Sequence, residues 1–144
     1  MKSHTAEFFK SKRDRIVLNV VLAQVPIVGV IGALCGHLVV GLTIAGVAAA
    51  LCAAGYASAR GTRLFRVYAG ALLMVDSAAL IAASGDQTVM HLHVFIVMTF
   101  LLLYFDWLPI VVATVTIVLH HAVGSLLFPQ LVFREAQTYR RSFR

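Results

Sequence analysis

Residues 16–59 read IVLNVVLAQVPIVGVIGALCGHLVVGLTIAGVAAALCAAGYASA, with no Asp, Glu, Lys or Arg in the stretch. Two apolar runs, 16–36 and 38–59, meet at Cys35-Gly36-His37. Each run is long enough to cross a hydrocarbon core, which takes about 20 helical residues. The short Gly-containing junction returns the chain at once, so the stretch predicts a transmembrane helical hairpin.

The same pattern continues outward in both directions. The 144-residue chain is 60% hydrophobic and 12% charged, and its mean hydropathy is +0.90, which a water-soluble domain does not reach. Further apolar runs cover 64–84, 90–105 and 110–128, the last stopped by Pro129. In lipid every backbone group must be satisfied within its own segment, so all of these read as helices. The β-branched run 111–118 does not signal strands, because a membrane barrel requires alternating polar residues. The fold class is therefore all-α: a polytopic transmembrane bundle of five spans. It divides into a basic leader (1–15), the bundle (16–129) and a tail (130–144). The leader is no cleavable signal, being long and polar with no small-residue cleavage pattern.

Lys/Arg bias sets the orientation. The leader carries Lys2, Lys10, Lys12, Arg13 and Arg15, and the linker between spans two and three carries Arg60, Arg63 and Arg66. The 36–37 turn and the 85–90 loop carry none. This places the N-terminus, the linker and the 106–109 turn in the cytoplasm. Four arginines in the tail conflict with an outside C-terminus. Either the tail lies as an amphipathic helix on the outer surface, or the chain stops just before a sixth span. The second is favoured.

The candidate site comes from the histidines. His37, His91, His93, His120 and His121 all fall on the outer side in this topology, and ionisable side chains in lipid mark function by default. His93 and His120 each lie about 13 residues, roughly 20 Å, from the 106–107 turn. Asp76 lies roughly 15 Å above Arg66, within about a turn of that level. A short turn also makes spans four and five antiparallel neighbours. One polar layer of Asp76, His93 and His120 is thus expected, with His91 and His121 beside it. Gly124, one turn beyond His120, leaves room for a bound group. On regular helices His91 and His93 point about 200° apart, and His120 and His121 about 100° apart, so one of each pair is the better ligand. The plainer alternative is that these imidazoles hydrogen-bond across helices or face interfacial water. His37 is the weakest candidate of the set.

Imidazole and carboxylate suit copper, zinc or iron, and close hairpin neighbours suit a bare ion better than a haem. Haem b is the alternative cofactor. The small faces of spans one and two (Gly29, Gly32, Gly36; Gly41, Ala45, Ala49, Ala53) read first as helix-packing surfaces. Cys35 and Cys52 read as packing residues, since they lack CxxC spacing. At the opposite end, Tyr104 and Trp107 form an interfacial belt, and Asp106 caps the next helix with Pro109 in its first turn. Signal relay is their functional alternative.

The stretches Met90-His-Leu-His-Val-Phe95, Tyr104-Phe-Asp-Trp107, Leu119-His-His121 and Phe128-Pro129 resemble the membrane-embedded input region of certain bacterial chemoreceptors, histidine kinases and diguanylate cyclases. There an HxHxF element opens one span, a YxDW turn follows and an HH pair closes the next. The likeness spans about 15–135 and is specific only over 90–129. It implies a sensory module feeding a cytoplasmic output domain, which does not follow Arg144 in this chain. The expected function is sensing of a metal, redox state or diatomic gas. An electron-transfer or proton-relay subunit using the same histidines is the alternative. A transporter is disfavoured, because the polar layer stops short of the cytoplasmic side and no helix has paired Gly/Pro breaks. The expected partners are lipid, a second copy of the chain and an output domain. No enzyme motif is present, and the basic residues sit where topology requires them rather than as a nucleic-acid face.

Overall fold

The computed structural model describes the backbone of residues 2–85 and 87–127, and side chains at 11–85, 87–123 and 126. Five α-helices follow in order: α1 Lys2–Cys35, α2 Leu38–Ala59, α3 Arg63–Ala83, α4 Leu92–Leu101 and α5 Trp107–Leu127. Short 3-10 turns, Thr88–His91 and Leu102–Tyr104, bracket α4. There is no strand among the described residues. The tail 130–144 and the Pro129 stop lie outside them, as does the space around Gly124.

Among the described residues, three helical segments are long and apolar enough to cross a membrane: Ser11–Cys35, α2 and α3. The apolar segments Thr88–Tyr104 and Trp107–Val123 are shorter. The leader is not a separate unit, because α1 runs unbroken for 34 residues, or about 51 Å. Its first turns therefore extend well past a core of about 30 Å.

Each turn has a local cause. Gly36 (φ 80°), Gly61 (φ 84°) and Gly85 (φ 72°) occupy the left-handed region at three of the four junctions. Thr62 caps α3 by accepting from the Phe65 N–H at 3.2 Å. At the fourth junction Phe105 takes φ 50°, and Asp106 accepts from the Leu108 N–H at 3.2 Å.

α3 lies at the centre and packs against α1, α2, α4 and α5. It runs parallel to α1: Asp14 meets Gly61 at one end, and Val28 packs with Ala79, Leu80 and Ala83 toward the other. α2 returns between them with Ala45, Ala48, Ala49 and Cys52 buried. Small residues bring the backbones close. A Cβ on Gly41 would stand 2.6 Å from the Ala83 Cβ, and one on Gly70 would stand 2.8 Å from the Pro109 carbonyl oxygen. This is how packing is gained where lipid offers no hydrophobic drive between helices. The Gly70 contact also corrects one expectation. Spans four and five do not pair chiefly with each other, because α5 presses onto α3 through Pro109 and touches α4 only lightly.

The close approach at Gly70 is testable. Gly70→Ala sets a methyl against an immobile backbone oxygen, an overpacking that costs about 1–3 kcal/mol. The thermal midpoint in detergent should fall. Gly46→Ala, with nothing within 4 Å of the new methyl, should leave it unchanged or higher.

Candidate functional site

The histidines gather at the end opposite the basic linker. His91 closes the 3-10 turn before α4, and His121 lies near the end of α5. Their ring centroids are 5.5 Å apart, tilted by 53°. His120 and His121 are 5.7 Å apart, edge to face. The His121 Nδ1 lies 2.9 Å from the Ile117 carbonyl oxygen, which accepts its proton and leaves Nε2 with the free lone pair. This is the orientation that a backbone carbonyl commonly imposes on a metal-binding imidazole. The His91 Nδ1 is buried and has no hydrogen-bond partner. Both rings line a groove of about 340 Å³ with Val94, Phe95, Ile117 and Val118.

His93 is held differently. The Ser77 hydroxyl donates to the Leu73 carbonyl at 3.0 Å, so its oxygen is left to accept from His93 Nδ1 at 3.1 Å. Asp76 is one residue away on α3 but about 100° around the helix. It is fully buried, and neither carboxylate oxygen has a hydrogen-bond partner. It shares the face of Leu73, Leu80 and Ala83, which packs toward α1 and α2 rather than toward α4. His120 lines a second groove, of about 510 Å³, with Met74, Val75, Thr116 and Leu119. His37 sits on the α1–α2 turn, its ring against Gly85.

The expected layer is thus divided. The structure brings together His91 and His121, sets the adjacent His120 in a second groove, holds His93 on Ser77, and turns Asp76 to another face. Among the described residues no three His, Cys, Asp or Glu are arranged to hold a metal ion. Spacing from a turn concerns height along a helix only. It carries no information about rotation, and rotation separates Asp76 from the imidazoles.

At the basic end, Asp106 is more than a cap. Arg63 reaches it with two nitrogens, at 3.0 and 3.1 Å, and Arg66 lies 3.9 Å away. Arg66 also stacks over the Tyr104 ring at 5.8 Å. The buried Tyr104 hydroxyl lies beside the Asp14 carboxylate without forming a hydrogen bond. Asp14 in turn accepts from the Gly61 N–H at 2.6 Å. These contacts tie α1, the α2–α3 turn and the α4–α5 turn into one cluster, while Trp107 stays exposed. Sequence reasoning missed Asp14, Ser77 and Gln24. The signal was present on α1, where Asp14, Val17, Val21, Gln24 and Val28 recur at helical spacing and all are buried.

Comparison with known protein families, characterised proteins and solved structures returns no match.

The hydrogen bonds from Arg63, followed by the Leu108 N–H, hold the Asp106 carboxyl below the usual carboxylate range. A lowered folded-state pKa contributes stability above the unfolded value of about 3.9 and loses it as pH falls through the folded value. Wild-type thermal stability should therefore drop on acidification below about pH 4. Asp106→Asn should be less stable near neutrality and show a shallower acid limb, measured by thermal unfolding against pH.

Proposed function

We propose that the chain is the membrane-embedded sensory input module of a bacterial signalling protein, and that it detects a transition-metal ion through His91 and His121. One observation carries the reading: two imidazoles on different elements, 5.5 Å apart, one with its Nδ1 committed to a backbone carbonyl and the other with a buried nitrogen unpartnered. Two imidazoles sharing a tetrahedral ion, with metal–nitrogen bonds of about 2.0–2.1 Å, set their ring centroids about 5 Å apart. The pair fits that spacing and supplies two ligands. A bare ion suits the pair better than haem b, whose two axial imidazoles stand on opposite faces of a macrocycle. Copper, zinc and iron share this ligand chemistry.

A bound ion would join the His91 turn to the end of α5. α5 packs on α3, and α3 begins at Arg63, which grips Asp106 at the other end of α5. A shift of α5 against α3 at the histidine end therefore works directly on the Arg63–Asp106–Arg66 cluster, beside Tyr104 and Trp107. An ion moves that equilibrium only if it binds one packing more tightly than the other. Supporting the orientation, the leader residue Asp14 and the arginine linker meet at one end, as a cytoplasmic N-terminus requires. In this reading five helices span the inner membrane, the chain pairs with a second copy, and an output domain receives the signal.

Titration of the purified protein in detergent with zinc or copper should show one tight site per chain. His91→Ala and His121→Ala should each weaken it at least tenfold, and His37→Ala should change it little. Absence of binding, or equal affinity in the His91→Ala/His121→Ala double variant, contradicts the reading.

A further inference from the structure

The bundle core consists of two apolar clusters with a polar level between them. One cluster contains Val17, Val21, Ala48, Ala49, Cys52, Leu72 and Leu73. The other contains Val28, Ala45, Ala79, Leu80 and Ala83. On α1 the residue between Val21 and Val28 on the buried face is Gln24. On α3, Asp76 is among the buried residues between Leu73 and Leu80, next to Ser77. The register set by Val28 against Ala79, Leu80 and Ala83 therefore places Gln24 and Asp76 at one level on facing stripes.

Both side chains are sealed from solvent, Asp76 at 0% and Gln24 at 4% exposure. Asp76 Oδ1, Asp76 Oδ2 and Gln24 Oε1 all lack hydrogen-bond partners. As placed, these three atoms are acceptors, and only a proton on the carboxyl or the turned Gln24 amide brings them a donor. A charged carboxylate here would also need a counter-charge. The titratable group beside it is Cys52 from α2; His93, held on Ser77 toward α4, and His120, in the groove along Met74 and Val75 toward α5, lie on other faces of α3. α1 presents the uncharged Gln24 at this level, and no ion pair to Asp76 is formed. Arg66, the nearest arginine along α3, is about 15 Å down the helix.

We propose that Asp76 and Gln24 form a proton-binding pair inside the bundle. The carboxyl carries the proton on one oxygen and donates it to the Gln24 amide oxygen, joining α1 to α3 at mid-bundle. One proton thus removes the charge and satisfies the buried amide carbonyl together. Rotating the Gln24 amide by 180° would instead offer an N–H to an ionised carboxylate, but would leave that charge in hydrocarbon without a cation. The pair stands independently of the histidine reading, because it involves neither His91 nor His121.

Infrared difference spectroscopy of the full chain in lipid, at neutral pH with sodium or potassium as the only cation, tests the pair. The acid C=O stretch of a protonated carboxyl should be present and should vanish in Asp76→Asn. In Gln24→Leu it should move to higher frequency, as the acid loses its acceptor. Asp76→Asn replaces the acid O–H by an amide N–H, so its thermal midpoint should match wild type and confirm that the variant is folded. Three results would overturn the proposal: carboxylate bands alone from Asp76, a band that responds to exchanging sodium for potassium, or an acid band unmoved by Gln24→Leu.

Discussion

The approach of α3 to its neighbours through glycine and alanine determines the rest of the molecule. At Gly70 the Pro109 carbonyl comes within 2.8 Å of where a Cβ would stand, and at Gly41 the Ala83 methyl comes closer still. Lipid chains compete equally for apolar side chains, so helices in a bilayer gain by close packing of small surfaces rather than by excluding water. Because α1, α2 and α5 all gain it on the same helix, α3 becomes the axis of the bundle. That position buries Asp76 completely, aims Ser77 at His93, and delivers Arg63 to Asp106. α4, short and bracketed by 3-10 turns, is left at the periphery, where its leading turn brings His91 to His121.

Much of the fold was legible because hydrocarbon allows few options. The apolar runs, the glycine turns, the Asp106 cap and the all-helical class follow from length and backbone satisfaction alone. Helix rotation was not legible. In a soluble helix the apolar face identifies itself, whereas here lipid-facing and core-facing residues are both apolar, so the usual periodic signal is weak. The candidate site depended on that missing information. His91 and His121 meet as supporting candidates, while His93 and Asp76, matched in depth, turn to Ser77 and to the α1–α2 face. The few polar residues inside the spans carried the rotational information. Gln24 and Asp14 fall on one stripe with Val17, Val21 and Val28, and that stripe is the buried face of α1.

Three groups of polar side chains follow one another along the bundle axis. Imidazoles occupy one end, acceptors without donors the middle, and an arginine–carboxylate cluster the other end. In the proposed reading the first offers nitrogen lone pairs to a soft or borderline cation, the second takes up a proton, and the third converts helix displacement into broken or formed ion pairs. A sensory role is the reading that uses a site at one end and a strained-by-displacement contact at the other, joined by a helix that touches both.

Its central claim concerns the two imidazoles. X-ray absorption at the metal edge of zinc- or copper-loaded protein tests it most directly, since imidazole rings give characteristic outer-shell scattering. The account predicts at least two histidine ligands at about 2.0–2.1 Å, reduced by one in His121→Ala. A metal shell made only of oxygen, or one identical in wild type and His121→Ala, would contradict it.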